Sequence, residues 1–203
     1  MLMTKNLIFD FGKVLVDYDF EAFLRTYILD TARCQAVNAV LCAVELQLLL
    51  DREVRPFEVI MEEWIGGNRE FESEIRYFSE HYPEIVTHEV EGMYDLLTQL
   101  KAEGFKLYGL TNWCSKVHLT MAQFPIFKLL DGQIISSEEK VIKPEPEIYQ
   151  RLFKKFRIKP EECIFTDDKV ENIEGGRRLG MDGIVFTSAK QYERELRARL
   201  GSH

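Results

Sequence analysis

KNLIFDFGKVLVDYD, residues 5–19, sets the fold. Leu7, Ile8 and Phe9 form a short run of strand-forming apolar residues that delivers Asp10 to a sharp turn containing Gly12. In open α/β sheets, ligands gather outside the carboxyl ends of the strands, so a lone acid at a strand tip is a candidate for chemistry. The position two residues on holds Gly12.

Working outward, similar apolar runs recur at residues 105–110, 133–136 and 163–166, each bounded by turn residues and followed by a helical pattern; a fifth, 183–186, precedes the last helix. Strands alternating with helices imply right-handed crossovers and a mostly parallel sheet covered on both faces, an α/β doubly wound fold. The alternation breaks between about residues 20 and 90, where apolar residues follow helical spacing with no convincing strand. This is too much helix for a simple crossover. The expected division is therefore a core of residues 1–17 and 94–203 with an inserted helical cap, residues 18–93. Residues 90–101 read as the helix returning the chain to the core, stopped by Glu103 and Gly104.

A chain of 203 residues permits one domain carrying such an insertion. Its net charge of -8 argues against nucleic acid and anionic membranes, because neutralising phosphates takes clustered Lys and Arg. The longest apolar stretch, residues 37–50, is interrupted by Glu45 and Gln47 and falls short of the ~20 residues that span a bilayer; it reads as a buried helix. The first residues do not follow the pattern of a signal peptide, and a cytoplasmic location is expected. Cys34, Cys42, Cys114 and Cys163 are scattered and read as reduced thiols. Only the tail, residues 201–203, reads as loose.

Four positions fall at one edge of this sheet. Asp10 ends the first strand, Thr111 and Asn112 end the second in LYGLTNW, and Asp167 and Asp168 end a later one in CIFTDDKVEN; Lys143 lies between, in VIKPEPEIY, just before a helix that Pro144 can open. Phosphoryl transfer explains why these residue types would meet. A carboxylate attacking a phosphate dianion works against repulsion of about 4 kcal/mol per unit pair at about 4 Å, or roughly three decades of rate. A divalent ion on hard carboxylate oxygens and a Lys ammonium offset that charge, while a hydroxyl and backbone amides hold the phosphoryl oxygens. Asp10 and Asp168 suit magnesium; Lys143, Thr111 and the amide of Asn112 suit phosphate.

The order and spacing of FDFGKVLVD, LTN, IKPEPEIY and FTDDKVENIEGGRRLGM resemble the four motifs of the haloacid dehalogenase superfamily of hydrolases. The likeness covers residues 5–17 and about 94–190. It is most similar to the bacterial α-glucose-1-phosphate phosphatases and the phosphatase domains of epoxide hydrolases. The resemblance implies a helical cap, a Mg²⁺-dependent phosphatase acting on a small phosphorylated metabolite such as a sugar 1-phosphate, and roles for single residues. Asp10 would be the nucleophile that becomes an aspartyl-phosphate, Thr111 and Asn112 phosphate binders, and Lys143 the charge clamp. Asp168 would ligate Mg²⁺ directly together with Asp10 and the backbone carbonyl of Gly12; Asp167 would support the metal from behind, and Asn172 would orient the loop.

Most phosphatases of this superfamily carry a general acid and base at the position of Gly12, a function worth ~10²–10⁴ in rate. Three accounts stand. The leaving group needs little help, which is favoured because the similar glucose-1-phosphate phosphatases also have Gly there; another group such as Asp17, Asp19 or a cap side chain serves; or the protein is a catalytically weak or binding member of the superfamily. A 2-haloacid dehalogenase, which needs no metal, is the alternative enzyme. Gly12 and the Asp167, Asp168 pair point away from it.

The remaining features have plainer readings. Gly175 and Gly176 lack the GxGxxG pattern and suggest close helix packing. Arg177 and Arg178 read as a solvated face, and His81, His88 and His118 have no metal spacing. Trp113 is a candidate pocket wall, and Asp17 and Asp19 read as holding the turn into the cap. Whether the chain is a monomer or a homodimer is open.

Overall fold

A computed structural model describes residues 4–201. The chain runs β1 (Asn6–Phe9), β2 (Val16–Tyr18), α1 (Phe20–Arg25), α2 (Thr31–Leu41), α3 (Val44–Arg52), α4 (Phe57–Gly67), α5 (Glu72–Glu80) and β3 (Val86–Glu89). It continues with α6 (Met93–Ala102), β4 (Lys106–Thr111), α7 (Val117–Gln123), β5 (Gly132–Ile135), α8 (Ser136–Glu139), α9 (Pro146–Phe156), β6 (Cys163–Asp167), α10 (Val170–Arg177), β7 (Asp182–Val185) and α11 (Ala189–Gly201). Five parallel strands in the order β5-β4-β1-β6-β7 form the doubly wound sheet.

Strand alternation divides the core. Leu7 and Phe9 of β1 face one side, with Met93, Leu97 and Leu100 of α6 and Tyr192 and Leu196 of α11. Ile8 faces the other, with Ile148, Tyr149 and Leu152 of α9 and Ile173 of α10. All of these are buried, so β1 is the hydrophobic centre of the molecule.

The helices α1–α5 lie between β2 and β3, as the helical spacing of residues 20–90 predicts. Two details differ. First, β2 and β3 pair antiparallel as a two-stranded ribbon, so the segment expected to lack strands ends in one. Val90 N–H also donates to Leu15 O at 2.9 Å, which keeps it out of the returning helix; α6 begins at Met93, after Gly92 at φ 81°. Second, residues 37–50 are two helices, α2 and α3, bent by 48° around Cys42 and Ala43. The break leaves the Leu41 carbonyl without a helical partner, and Gln47 Nε2 donates to it at 2.7 Å.

Among the described residues no single helix is long and apolar enough to cross a membrane. All four cysteines are free thiols. Ser202 and His203 of the tail lie outside the described residues, while Gly201 ends α11.

Candidate active site

The parallel register places the ends of β1, β4 and β6 side by side: Phe9 pairs with Gly109 on one flank and Thr166 on the other. Asp10 N–H donates to Thr166 O at 2.9 Å, which continues the ladder one residue past the strand and fixes where the carboxyl stands. Asp10 is 8% exposed.

Lys143 is brought here from outside the sheet. Its loop is clasped by Asn112, whose side chain donates to Lys143 O at 3.0 Å and accepts from Lys143 N–H at 2.8 Å. The Asn112 side chain is therefore spent on positioning Lys143, and its backbone amide is what it has left to offer a ligand. The Lys143 ammonium lies 2.8 Å from Asp10 Oδ1, 2.7 Å from Asp167 Oδ2 and 2.9 Å from Leu110 O, so three acceptors meet its three protons. Burial works to lower its pKa, but the flanking carboxylates outweigh it and hold the group above its ordinary value, as a fixed cation. Asp10 is pushed up to about 6, by burial first and by the neighbouring Asp167 charge, with Lys143 acting in the opposite direction.

Asp167 is buried behind this pair, accepting from Lys169 N–H at 2.8 Å and from Asn172 Nδ2 at 3.0 Å with each oxygen. Asn172 is thus a brace for Asp167. Asp168 differs: it faces the cavity and accepts no side-chain hydrogen bond among the described residues, and burial followed by the Asp167 charge raises its pKa. One carboxylate oxygen from each of Asp10, Asp167 and Asp168 falls within 4.8 Å of the other two. Three hard oxygen donors this close, one of them free of side-chain hydrogen bonds among the described residues, fit a small divalent cation such as magnesium. The Thr111 hydroxyl is also buried without a partner among the described residues, an orphan that a ligand oxygen would satisfy.

A cavity of about 300 Å³ opens above these groups. Every site residue expected from the sequence lines it except Asp167, which sits beneath the floor. Trp113 lines it as well. Asp17 and Asp19 do not: Asp17 pairs with Lys13, and Asp19 caps α1 through Ala22 N–H at 2.9 Å. His81, His88 and His118 are engaged elsewhere with Glu84, Asp17 and Glu138.

The roof is what sequence reasoning missed. Tyr18 of the ribbon and Phe20, Cys42, Gln47, Asp51, Tyr82 and Ile85 of the helical segment all face the cavity. Tyr18 also accounts for Gly12, because a Cβ at position 12 would lie 2.7 Å from Tyr18 Cε1. The phenol ring fills the space where a side chain of residue 12 would start.

Close packing also explains Gly175 in α10. A Cβ there would stand 2.7 Å from the Tyr149 hydroxyl and 3.1 Å from Pro144 O, and Tyr149 is itself bonded to Asn172 O at 2.7 Å. Gly175→Ala is expected to cost about 1–3 kcal/mol by overpacking, read as a lower denaturant midpoint with an unchanged slope.

A family profile described as haloacid dehalogenase-like hydrolase matches residues 4–180. Among curated relatives, a sesquiterpene phosphatase of Aspergillus oryzae is 33% identical over 54% of this chain and 56% of its own. A D-ribitol-5-phosphate phosphatase of Bacteroides thetaiotaomicron is 24% identical over 98% of this chain and 100% of its own. The chain thus spans about half the length of the first relative and all of the second. A HAD family enzyme of Bacteroides thetaiotaomicron, crystallised with magnesium and inorganic phosphate, superimposes with a TM-score of 0.72 at 21% identity, covering 91% of this chain and 95% of that one. The strand-end placement of Asp10, Thr111 and Asp168, the buried Lys143 and a profile spanning most of the sequence agree: the chain belongs to the haloacid dehalogenase-like hydrolase family.

Proposed function

We propose that this hydrolase is a Mg²⁺-dependent phosphatase that releases phosphate from a small phosphorylated metabolite, a sugar 1-phosphate being the favoured class, through an aspartyl-phosphate on Asp10. The observation that carries the reading is the cavity floor: a carboxylate held by a buried ammonium, beside an unpaired hydroxyl and a cluster of three acids. Asp10 is oriented by Lys143 and by Phe11 N–H, which donates to its Oδ1 at 2.7 Å, so one face is fixed and the other is free to attack phosphorus. The P–O bond to the metabolite then breaks, and water opens the acyl phosphate to regenerate Asp10. Thr111 and the Asn112 amide hold phosphoryl oxygens, and Lys143, from its seat between Asp10 and Asp167, offsets their charge. Asp10, Asp168 and the Gly12 carbonyl would hold Mg²⁺, with Asp167 behind them, and the ion would supply further neutralisation of the phosphoryl charge. The helical segment acts as a cap that excludes water. Displacement of halide from carbon needs no such acid cluster, which counts against a dehalogenase.

Phosphate release from a panel of phosphorylated metabolites is expected to need Mg²⁺, to fall to the level of an Asp10→Asn blank on chelation, and to return when Mg²⁺ is restored. Chloride release from 2-haloacids that a chelator leaves unchanged would overturn the reading. A trapped beryllofluoride adduct without turnover of any phosphate would instead favour a binding protein.

A further inference from the structure

The site as built has no side chain at position 12 to move a proton, and Tyr18 leaves no room for one. The carboxyl groups that line the cavity are Asp10, Asp168 and Asp51. On the proposed mechanism Asp10 is the nucleophile and Asp168 would ligate the cation, which leaves Asp51, the one acid that the helical segment contributes to the cavity among the described residues.

Asp51 is held for such a task. It sits in the last turn of α3, where three consecutive residues are fastened to the core. Its own carbonyl accepts from Ser136 Oγ at 2.5 Å. Next to it, Arg52 pairs with Glu145 of the loop that carries Lys143. Glu53 accepts from Ser115 Oγ at 2.7 Å, and Lys140 donates to its carbonyl. The backbone is therefore pinned on both sides of a carboxyl that itself accepts no hydrogen bond among the described residues, and a group on a fixed helix is placed more precisely than one on a loop. The titratable and charged groups facing it are Lys143 and Lys169 of the core, Tyr18 of the ribbon, Tyr82 before β3 and Cys114 after β4.

We propose that Asp51 takes over the acid and base function missing at position 12. As the P–O bond breaks, its carboxyl proton passes to the departing oxygen, releasing a neutral alcohol and leaving a carboxylate. That carboxylate then takes the proton of the water that attacks the aspartyl-phosphate, which restores the neutral acid. Burial pushes Asp51 up to about 6, with Lys169 and Lys143 opposing, which suits a group that must both give and accept a proton near neutral pH. By contrast, burial drives Tyr18 and Tyr82 upward, so both phenols stay protonated and cannot serve as the base.

The proposal rests on the phosphatase reading, and one set of measurements separates the two. Wild type and Asp51→Asn are compared with Mg²⁺ on nitrophenyl, phenyl and alkyl phosphates, following steady-state kcat and the phosphoenzyme burst. On alkyl phosphates the variant is expected to lose ~10²–10⁴ in kcat, with a steeper dependence on leaving-group acidity than wild type. The nitrophenolate burst stays, because that leaving group needs no proton, and the phosphoenzyme accumulates. An unchanged kcat on alkyl phosphates with the same leaving-group dependence overturns the proposal in favour of an intrinsically good leaving group. A rise in KM alone overturns it in favour of a substrate-binding role. Absence of phosphoenzyme in wild type as well overturns the phosphatase reading with it. Asp51→Ser is a second variant with the same expectations should the amide disturb folding.

Discussion

Asp10→Asn is expected to lower kcat on phosphate esters by on the order of 10⁶-fold, the scale seen when a covalent nucleophile is removed. The substitution keeps shape and an oxygen for the Lys143 ammonium, but an amide is no nucleophile, so the loss is chemical. Stability moves the other way. Burial raises the Asp10 pKa to about 6, so keeping it ionised at neutral pH opposes folding. That cost fades as pH falls through about 6 towards the ordinary carboxylate range, where the unfolded chain also takes up the proton. Removing the charge therefore leaves the metal-free melting temperature at pH 7 equal to or above wild type. A thermal melt with chelator, beside a phosphate-release assay with Mg²⁺, checks both halves; a variant that is both active and less stable would contradict them.

Lys143→Met is expected to fail in both respects. Methionine fills similar volume, yet it leaves Asp10 and Asp167 buried against each other with no cation between them. Breaking a buried ion pair by removing one partner costs about 3–5 kcal/mol, far beyond what a solvent-screened pair such as Arg25 with Glu21 contributes. Chemical denaturation in chelator measures the loss. The Asp10→Asn, Lys143→Met double variant is expected to recover part of it, since one of the two stranded charges is then gone. Additive losses in that cycle would show that the ammonium does not couple to Asp10.

Asp10, Thr111 and Asp168 were legible because apolar strand runs end at them, and strand ends in a parallel sheet converge by register. Lys143 lies on no strand, so strand ends do not place it; the need for a cation beside an attacking carboxylate and the resemblance of its motif do. What brings it in is Asn112, whose clasp on the Lys143 backbone has no local sequence signal. The ribbon was illegible for a related reason: Val16–Tyr18 and Val86–Glu89 are too short for alternation to register, and their pairing spans the whole helical segment. The break between α2 and α3 hides in an apolar stretch because neither Gly nor Pro marks it. Gln47 and Asp51, however, carry a local signal. They are polar, four residues apart in a leucine-rich run, and so share one face of α3. Which way that face points depends on docking through Ser136, Glu145 and Ser115, all far along the chain.

The pairing of β2 with β3 has a further consequence. The polypeptide leaves the core after Leu15 and returns to it at Val90, and the backbones of those two residues are hydrogen-bonded. Everything between is joined to the chain of the core through one narrow stem and docks on it through α3, and the five-stranded ladder is complete without it. A different excursion of any length could leave and return through the same doorway without shifting a single strand. Preference for one ester over another, and with it the proton transfer proposed for Asp51, can therefore diverge in the excursion while Asp10 and Lys143 beneath stay in place.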